Sequence, residues 1–395
     1  MFISAANGSD AARMPTMRLT ERALNRATLA RQLLLRRERL DVTDAVRRVV
    51  AVQAQDPVGP YLALWSRVAD FDPADLDAAF AAHEVVRGQL MRITIHAVAA
   101  TDYLPFHAAM QRSLRAARLF DPRFQKAGLS IPDTDALIPD LAAYLAEPRS
   151  TDEVEGWLDD RIGVRERPGV WWALRHYGPF VHAPVGGPWS FGTKRVMTAA
   201  RIRLDEVLDE ATGLPILVRR YLEGFGPASI QDMRQSMMVY APGLKAAIAT
   251  LGDELVRLEG PGRSPLYDVP GGALPDEDTP APPRFLPMWD NVLLAYADRA
   301  RMVPPELRTV VSRSNGDLLP TILVDGRVAG VWRPLDDGGI EVTALRPVDD
   351  DAWSGLEAEA RSLDAFLTGR DRAIYRRHQN WWATLPAVDV RVLAR

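Results

Sequence analysis

The 395 residues are too many for one hydrophobic core and indicate two to four domains. With 47% hydrophobic and 25% charged residues, the composition is that of a soluble globular protein, and the lack of cysteine excludes disulfides, thiolate chemistry and zinc–thiolate sites. The net charge of −4 argues against a generally sticky nucleic-acid binder. No apolar run approaches membrane-spanning length and the first ten residues lack a signal-peptide pattern, so we expect a cytoplasmic protein.

The first elements in chain order are helices. Residues 1–16 have no periodicity and predict a disordered tail. Apolar periodicity and capping signals predict helices over 20–35, 42–52 and 61–68, and a further helix from Pro73. Residues 85–98 switch to β-branched, roughly alternating residues and predict a hairpin. Helices followed by a β-ribbon make residues 17–130 a predicted first domain.

Gln53-Ala54-Gln55 closes the second of these helices and is followed by Asp56-Pro57. On a continuing helix the two glutamines would point to nearly opposite sides. Pro57 pushes Asp56 toward extended geometry, however, and this favours a helix that stops near the motif. In extended backbone both amides share one face, Ala54 packs inward, and the pair can hold one water or one sugar. The alternative is two solvated glutamines at a frayed helix end.

The same order of elements recurs twice more. In residues 131–200 the predicted elements are helices over 137–145, from Ser150 and over 168–178, and a hairpin over 180–192 with a Gly-Gly turn. In residues 201–278 they are helices over 214–223, 230–237 and 241–251, and a hairpin over 255–269. Helices followed by a ribbon are the winged-helix plan, in which the third helix reads the groove and the ribbon is the wing. We therefore predict an α+β fold with three tandem winged-helix domains.

A linker rich in proline, glycine and acidic residues precedes a different C-terminal region, residues 279–395. Residues 321–332 predict a hairpin with an Asp-Gly turn, and residues 340–345 predict another strand. A helix is predicted over 354–367. This alternation of short strands and turns predicts a β-barrel-like domain.

Common active-site motifs are missing from the sequence. It contains no phosphate-binding loop, no dinucleotide-binding glycine pattern, no G-x-S-x-G and no H-E-x-x-H. The six histidines show no i,i+4 pair and no nearby carboxylate in a metal-binding spacing, so we expect neither a metal nor a cofactor.

Basic residues give a weaker indication of a DNA surface. Of the 48 basic residues only three are lysine, and arginine is the better phosphate ligand because it donates in a planar fork. Arg112, Arg115 and Arg118 recur at helical spacing, a pattern usual for a solvated face. Lys194 and Arg195 follow the second predicted wing, and wings commonly touch phosphate. His96 on the first ribbon is either a DNA contact or a half-buried, hydrogen-bonded histidine.

Three stretches together resemble the AlkZ-like DNA glycosylases, a bacterial group of winged-helix proteins. They span residues of about 20 to 335, in the family's order and spacing. The stretches are Val52-Gln53-Ala54-Gln55-Asp56-Pro57 with Ala63-Leu64-Trp65-Ser66-Arg67, Leu90-Met91-Arg92-Ile93-Thr94-Ile95-His96, and Phe285-Leu286-Pro287-Met288-Trp289-Asp290-Asn291 with Val324-Asp325-Gly326-Arg327 to Trp332. One position departs from the family: Ile93 stands where the pattern Met-Arg-Gly-Thr-Leu-His has glycine, which concerns the shape of the first wing rather than the chemistry.

The resemblance implies a fold, an activity and a site. The fold is tandem winged-helix domains with a C-terminal β-barrel. The activity is excision of bases alkylated at guanine N7, including bulky adducts and interstrand crosslinks, by a monofunctional glycosylase acting in antibiotic self-resistance or general repair. Gln53 and Gln55 occupy the catalytic glutamine–apolar–glutamine positions, with Asp56 as an alternative base. We assign Arg92, His96, Lys194 and Arg195 to DNA contacts, and expect a nucleoid-associated monomer whose partner is double-stranded DNA carrying alkylated bases.

The main alternative is a non-catalytic winged-helix protein, either a transcription regulator or a protein that sequesters adducted DNA. It would share the fold, and fold does not decide function. The glutamine pair and the tandem units favour the glycosylase.

Overall fold

The computed structural model describes residues 18–165, 167–192, 194–201 and 209–394, and the predicted tail lies outside them. Helices dominate the first two thirds of the described chain and antiparallel strands the last third, which confirms the α+β class. No helix within the described ranges combines the length and apolarity that a membrane crossing needs.

The first region carries the glutamine motif between its second and third helices. Its helices are α1 (Glu21–Arg31), α2 (Val42–Arg48), α3 (Gly59–Trp65), α4 (Pro73–Ala81), α5 (Ala100–Leu119) and α6 (Pro122–Gln125). Its strands are β1 (Val52–Gln53), β2 (Val85–Gln89) and β3 (Ile95–Ala99). The predicted hairpin is confirmed as β2 and β3, which pair in antiparallel register from Val85–Ala99 to Gln89–Ile95. Pro73 is the first residue of α4, as predicted, and the Asp72 side chain accepts from Ala74 N.

The middle region follows the predicted helices closely. Its helices are α7 (Ile131–Ala136), α8 (Ile138–Tyr144), α9 (Thr151–Ile162), α10 (Pro168–Tyr177), α11 (Glu210–Phe225), α12 (Ile230–Met237) and α13 (Ala241–Leu251). Its strands are β4 (Arg149–Ser150), β5 (Phe180–His182), β6 (Val196–Ala199), β7 (Val256–Leu258) and β8 (Leu266–Asp268). Ser150 and Glu153 form the predicted capping box at α9.

The predicted hairpin over residues 180–192 is wrong in its second strand. β5 pairs with β6, from Phe180–Ala199 to His182–Met197, so the strand lies beyond Lys194 and Arg195 rather than before them. Gly186 and Gly187 both have positive φ, as a turn requires, but they lie inside a longer connection. The two basic residues therefore lie in the connection between β5 and β6, directly before β6.

The first two ribbons form one sheet. Its strand order is β1-β3-β2-β5-β6-β4, and β2 joins β5 through the pairs Arg87–His182 and Gly88–Val181. β7 and β8 form a separate two-stranded sheet, which confirms the third predicted hairpin. The joined sheet crosses the predicted boundary at residue 130. The division into winged-helix domains over 17–130, 131–200 and 201–278 stays a prediction.

The C-terminal region is an open antiparallel sheet. Its strands are β9 (Arg284–Leu286), β10 (Thr321–Val324), β11 (Arg327–Pro334), β12 (Ile340–Ala344) and β13 (Asp389–Leu393), and its helices are α14 (Arg308–Val311), α15 (Asp350–Thr368) and α16 (Gln379–Trp382). The strand order β13-β12-β11-β10-β9 leaves β9 and β13 at the edges, so within the described residues no closed barrel forms and that expectation is corrected. The reason is α15, which contacts β9, β12 and β13 and covers their apolar face without barrel closure. The predicted Asp-Gly turn is confirmed, with φ of 46° at Asp325 and 76° at Gly326.

Two buried ion pairs connect the N-terminal helices to later parts of the chain. Arg31 donates to both carboxylate oxygens of Asp268 at 2.6 and 2.7 Å. Arg67, just after α3, donates to Asp290 at 2.8 and 2.9 Å, and both side chains are at most 2% exposed. Arg67–Asp290 fixes the 285–293 segment against the region that carries the glutamine motif.

Candidate active site

The glutamine motif begins as an edge strand. α2 ends at Arg48, Val50 has a φ of 74°, and β1 then pairs Gln53 with His96 of β3. Ala54 N donates to Ile95 O at 2.9 Å, and the Ala54 side chain is completely buried. The prediction that the helix stops near the motif is confirmed, although it ends at Arg48 rather than at Val52, because Val50 adopts a positive φ. Ala54 packs inward as expected.

Both glutamine side chains contact the Thr94–Ile95 segment and line one cleft. Gln53 Nε2 lies 3.3 Å from Thr94 Oγ1, and Gln55 Oε1 accepts from Ile95 N at 3.4 Å. Gln53 is 6% exposed, whereas Gln55 is an exposed residue. One amide is therefore held in the wall of the cleft, while the other reaches into it.

The Thr94 hydroxyl sets the orientation of the Gln53 amide. A hydroxyl has one proton, and Thr94 Oγ1 lies 3.2 Å from Met91 O and 3.4 Å from Gln53 Oε1. With the proton on the shorter bond, Thr94 accepts from Gln53 Nε2. Gln53 Oε1 then has no donor in the described part of the chain, so it is the atom of this amide that can accept from a water in the cleft.

Arg87 on β2 holds the backbone of the motif from behind. Its Nε donates to Ala54 O at 2.9 Å and its guanidinium lies 3.5 Å from Gln55 O and 4.7 Å from the centre of the Phe191 ring. Arg87 is 7% exposed, and burial lowers its pKa to about 10, so it stays charged at neutral pH. A planar donor thus fixes both carbonyls that flank the Gln55 side chain.

The cleft in front of the glutamines has a volume of about 590 Å³ and a basic lining. One acidic residue, Asp317, is among its described lining residues. The basic residues there are five arginines from four different parts of the chain: Arg92, Arg118, Arg195, Arg299 and Arg313. We call this space the arginine-rich cleft. Its excess positive charge suits the phosphates of a nucleic acid.

Arg92 and His96, both predicted DNA contacts, form one network with Asn291. Arg92 donates to Asn291 Oδ1 at 2.7 Å and to His96 Nε2 at 3.1 Å, and Asn291 Nδ2 donates to Ala51 O at 2.7 Å. Burial and the charge of Arg92 lower the pKa of His96 well below its ordinary value. His96 is therefore neutral, with its proton on Nδ1 toward Thr94 O.

Arg92 and His96 differ in their exposure to solvent. His96 has no exposed surface, whereas Arg92 is half-buried and lines the arginine-rich cleft. Arg92 donates to Asn291, His96 and Ser236 O, and no carboxylate among the described residues contacts it. The Arg92 charge is thus available to a ligand, and His96 supports it from below.

Lys194 and Arg195 are both exposed, and they line a second cleft of about 650 Å³ on the other side of Gln55. Arg195 and Gln55 belong to the linings of both clefts. Asp56, the alternative base, lines the second cleft and is absent from the described lining of the arginine-rich one. Gln55 therefore lies on the ridge between the two clefts, with Asp56 behind it.

Comparison with known proteins gives the family. The family model described as "DNA glycosylase AlkZ-like" matches residues 46–366. The chain belongs to the AlkZ-like DNA glycosylase family. This confirms the resemblance carried by the glutamine motif, the first ribbon and the Trp289-Asp290-Asn291 stretch.

Individual relatives agree with this assignment. The interstrand DNA cross-link repair glycosylase of Streptomyces sahachiroi is 26% identical over 327 residues, which are 78% of this chain and 86% of that protein. The solved structure of S. sahachiroi DNA glycosylase AlkZ has a TM-score of 0.75 to this chain at 23% identity, covering 90% of this chain and 98% of that one. The AlkZ-like fold is therefore shared over most of both chains.

Sequence reasoning did not assign several residues of this site. Arg299 begins a short 3₁₀ helix before α14, and Arg313 lies in the loop after it. Asn291 reaches Ala51 across 240 positions. Arg118 is one of the three arginines at helical spacing on α5, a pattern that predicts a solvated face. Only the Trp289-Asp290-Asn291 stretch carried a signal, through the family pattern; the other positions are arginines among 45.

Proposed function

We propose that this protein hydrolyses the N-glycosidic bond of DNA nucleotides whose guanine is alkylated at N7. One observation carries the proposal: Gln53 and Gln55 both line the arginine-rich cleft, and both contact the Thr94–Ile95 segment. Membership of the AlkZ-like DNA glycosylase family supports it. In this proposal the arginines hold the DNA, and the two amides act on the sugar.

The chemistry needs no strong acid. Alkylation at N7 makes guanine a cationic leaving group, so the C1′–N9 bond breaks with its electron pair returning to a ring that is already positive. A water forms the new bond to C1′ and loses its proton to solvent. What the protein must supply is a water held about 3 Å from C1′ and dipoles that stabilise positive charge on the sugar. Neutral amides can supply both.

The two glutamines take different parts in this proposal. Gln55 is exposed on the ridge and positions the water. Gln53 is fixed by Thr94, and its free Oε1 orients that water or contacts the sugar. Asp56 is the alternative base, and its place in the second cleft favours the glutamines over it.

Arg87→Met tests whether the backbone of the motif must be fixed. We expect excision to slow about 10- to 100-fold, because Ala54 O and Gln55 O lose their common donor and Gln55 shifts from its position. Arg87→Lys keeps the charge without the planar fork, so its rate of excision should lie between those of wild type and Arg87→Met. Single-turnover excision and duplex affinity are measured for all three proteins. Equal excision by wild type and the Met variant would contradict this role.

DNA binding is proposed to run through Arg92, Lys194 and Arg195, with His96 acting only through Arg92. Arg195→Ala is expected to weaken binding of undamaged and adducted duplex alike, and to reduce the slope of log affinity against log salt by about 1. Titration of a labelled duplex at several salt concentrations measures this slope. Lys126→Ala, an exposed lysine at the end of α6 and outside both cleft linings, is the control with an unchanged slope. An unchanged slope in the Arg195 variant would remove it from the phosphate contacts.

The rate of excision should be nearly independent of pH between about pH 6 and 8.5. Burial lowers the pKa of His176 to about 4 and that of Arg92 to about 10, so neither changes charge in this window. His96, with its pKa well below the ordinary value, stays neutral throughout. The measurement is single-turnover excision against pH with saturating enzyme. A tenfold rise between pH 6 and 7 would indicate a histidine base and contradict catalysis by neutral amides.

The deciding experiment for the proposed function uses duplexes with one defined N7-guanine adduct. Mass spectrometry should detect two products, the released alkylated base and the abasic strand. A bulky adduct and an interstrand crosslink belong in the same series, because such lesions are costly to extrude and an open, arginine-lined cleft can hold the duplex without extrusion. Tight binding to one operator sequence with intact adducted DNA would instead support a regulator, and binding to adducts without release would support sequestration.

A further inference from the structure

A third cleft begins where the arginine-rich cleft ends. It has a volume of about 650 Å³ and lies between α5 and the junction of α12 with α13. Its wall is mostly apolar, with contributions from Ala116, Ala117, Met238, Val239 and Tyr240, and its described lining contains no aspartate or glutamate. We call it the apolar cleft. None of the glutamines of the catalytic motif belongs to it.

Two large apolar side chains of this cleft are open to solvent. Met238 is 46% exposed and Tyr240 is 41% exposed. The arrangement is held from below, because Ser113 Oγ donates to Met238 O at 2.6 Å and the Arg112 guanidinium lies 4.3 Å from the centre of the Tyr240 ring. An exposed apolar patch beside a site is typical of ligand binding. Methionine adapts to irregular shapes, and tyrosine stacks on planar groups.

Ile93 is shared by the linings of the arginine-rich and apolar clefts. Its φ is 57° and that of Arg92 is 54°, both in the left-handed region that favours glycine. For a β-branched residue this conformation is strained and persists only where the surroundings impose it. Here Ile93 N donates to Leu90 O at 3.0 Å, Leu90 N donates to Thr94 O at 3.0 Å, and Gln89 donates to the Ile93 carbonyl.

A β-branched side chain at a strained backbone position indicates a function for that side chain. Glycine would adopt this backbone without strain, whereas isoleucine places a branched apolar side chain in the lining of both clefts. Ile93 also precedes Thr94, the residue that orients Gln53. A group attached to a guanine in front of the glutamines would pass over Ile93 on its way to Met238 and Tyr240.

We propose that Ile93, Met238 and Tyr240 form a subsite for the apolar substituent of an N7-alkylated guanine, with Ile93 as its specificity-determining residue. This inference rests on the proposed glycosylase function. The substituent extends from N7 over Ile93 and is buried in the apolar cleft, while the sugar stays at the glutamines. Substrates with an apolar substituent are thereby favoured over N7-methylguanine.

The test compares two duplexes that differ only in the substituent, N7-benzylguanine and N7-methylguanine. For each duplex, the second-order rate constant of excision under single-turnover conditions is divided by the spontaneous release rate of the same adduct, which removes the difference in leaving-group chemistry. The ratio of this normalised value for the benzyl adduct to that for the methyl adduct should be about ten or more in wild type. Met238→Ser should lower the ratio toward one with unchanged methyl excision, since Met238 lies outside the arginine-rich cleft. Ile93→Gly should lower the ratio as well, without loss of thermal stability.

Val256→Ser is the matched control, because Val256 is a 37% exposed apolar residue on β7 outside both linings, and it should keep the wild-type ratio. A ratio near one in wild type, or an unchanged ratio in both variants, overturns the subsite and leaves the glycosylase standing. Equal loss of both substrates in Met238→Ser also overturns it, since that indicates a general DNA contact. Release of neither base by wild type overturns the proposed function itself.

Discussion

Gln55→Ala is expected to slow single-turnover release of N7-methylguanine about 10²- to 10³-fold, the range found when one preorganised donor is removed from an enzyme site. The reason is the position of Gln55 on the ridge, where its amide is exposed to the cleft and its backbone is held by Arg87. Gln53→Ala should have an effect of similar size, since the water then loses its second partner. Removal of a water-orienting group should lower kcat with little change in DNA affinity.

The double variant separates a shared role from two independent ones. If both amides hold one water, Gln53→Ala with Gln55→Ala should be only slightly slower than either single variant, because groups that act as a unit are not additive. Gln231→Ala is the matched control, since Gln231 is an exposed glutamine on α12 that lines neither the arginine-rich cleft nor the second cleft. Wild-type rates in both single variants would exclude the pair from the mechanism.

Thr94→Val distinguishes an oriented Gln53 from one that is merely present. Valine keeps the shape of threonine but removes the hydroxyl that accepts from Gln53 Nε2. We expect about tenfold slower excision with unchanged DNA affinity, because the amide is then free to turn away from the water. Wild-type kcat in this variant would show that Gln53 needs no such partner.

The parts of this fold and site that local sequence could predict are those decided by local physics. Pro73 begins a helix, Ser150 with Glu153 caps another, and Asp325-Gly326 adopts the positive φ values of a tight turn. For the same reason the inward packing of Ala54, between two amides that line one cleft, followed from two-residue periodicity. Each of these needs only neighbours in the chain.

The remaining parts are decided by contacts between distant segments. β5 pairs with β6 rather than with residues 188–192, and on its other edge it joins β2, nearly a hundred residues earlier. His96 has an ordinary strand position, and only the packing of Asn291 and Arg92 around it makes it buried and neutral. Alternating strands alone could not show that α15 would cover the C-terminal sheet and leave it open.

Asp290→Ala is expected to lower the free energy of unfolding by about 3–5 kcal/mol, because it leaves the Arg67 charge buried without its carboxylate. Arg67 and Asp290 are 2% and 1% exposed, so water cannot replace the missing partner. Asp290 Oδ1 also accepts from Val292 N at 3.1 Å, which fixes the turn that presents Asn291 to Ala51 and Arg92. The same change should therefore loosen the segment just before the glutamine motif.

Urea unfolding measures this loss, and two controls identify its source. Arg39→Ala removes one partner of an ion pair whose side chains are 82% and 70% exposed, and it should cost only a small fraction of the Asp290→Ala effect. Replacing both partners, Arg67→Met with Asp290→Leu, removes the stranded charge and should recover most of the stability. Excision by this double variant should stay reduced, because Asp290 no longer anchors the turn that carries Asn291. Equal losses in Asp290→Ala and Arg39→Ala would show that the buried pair does not hold the two regions together.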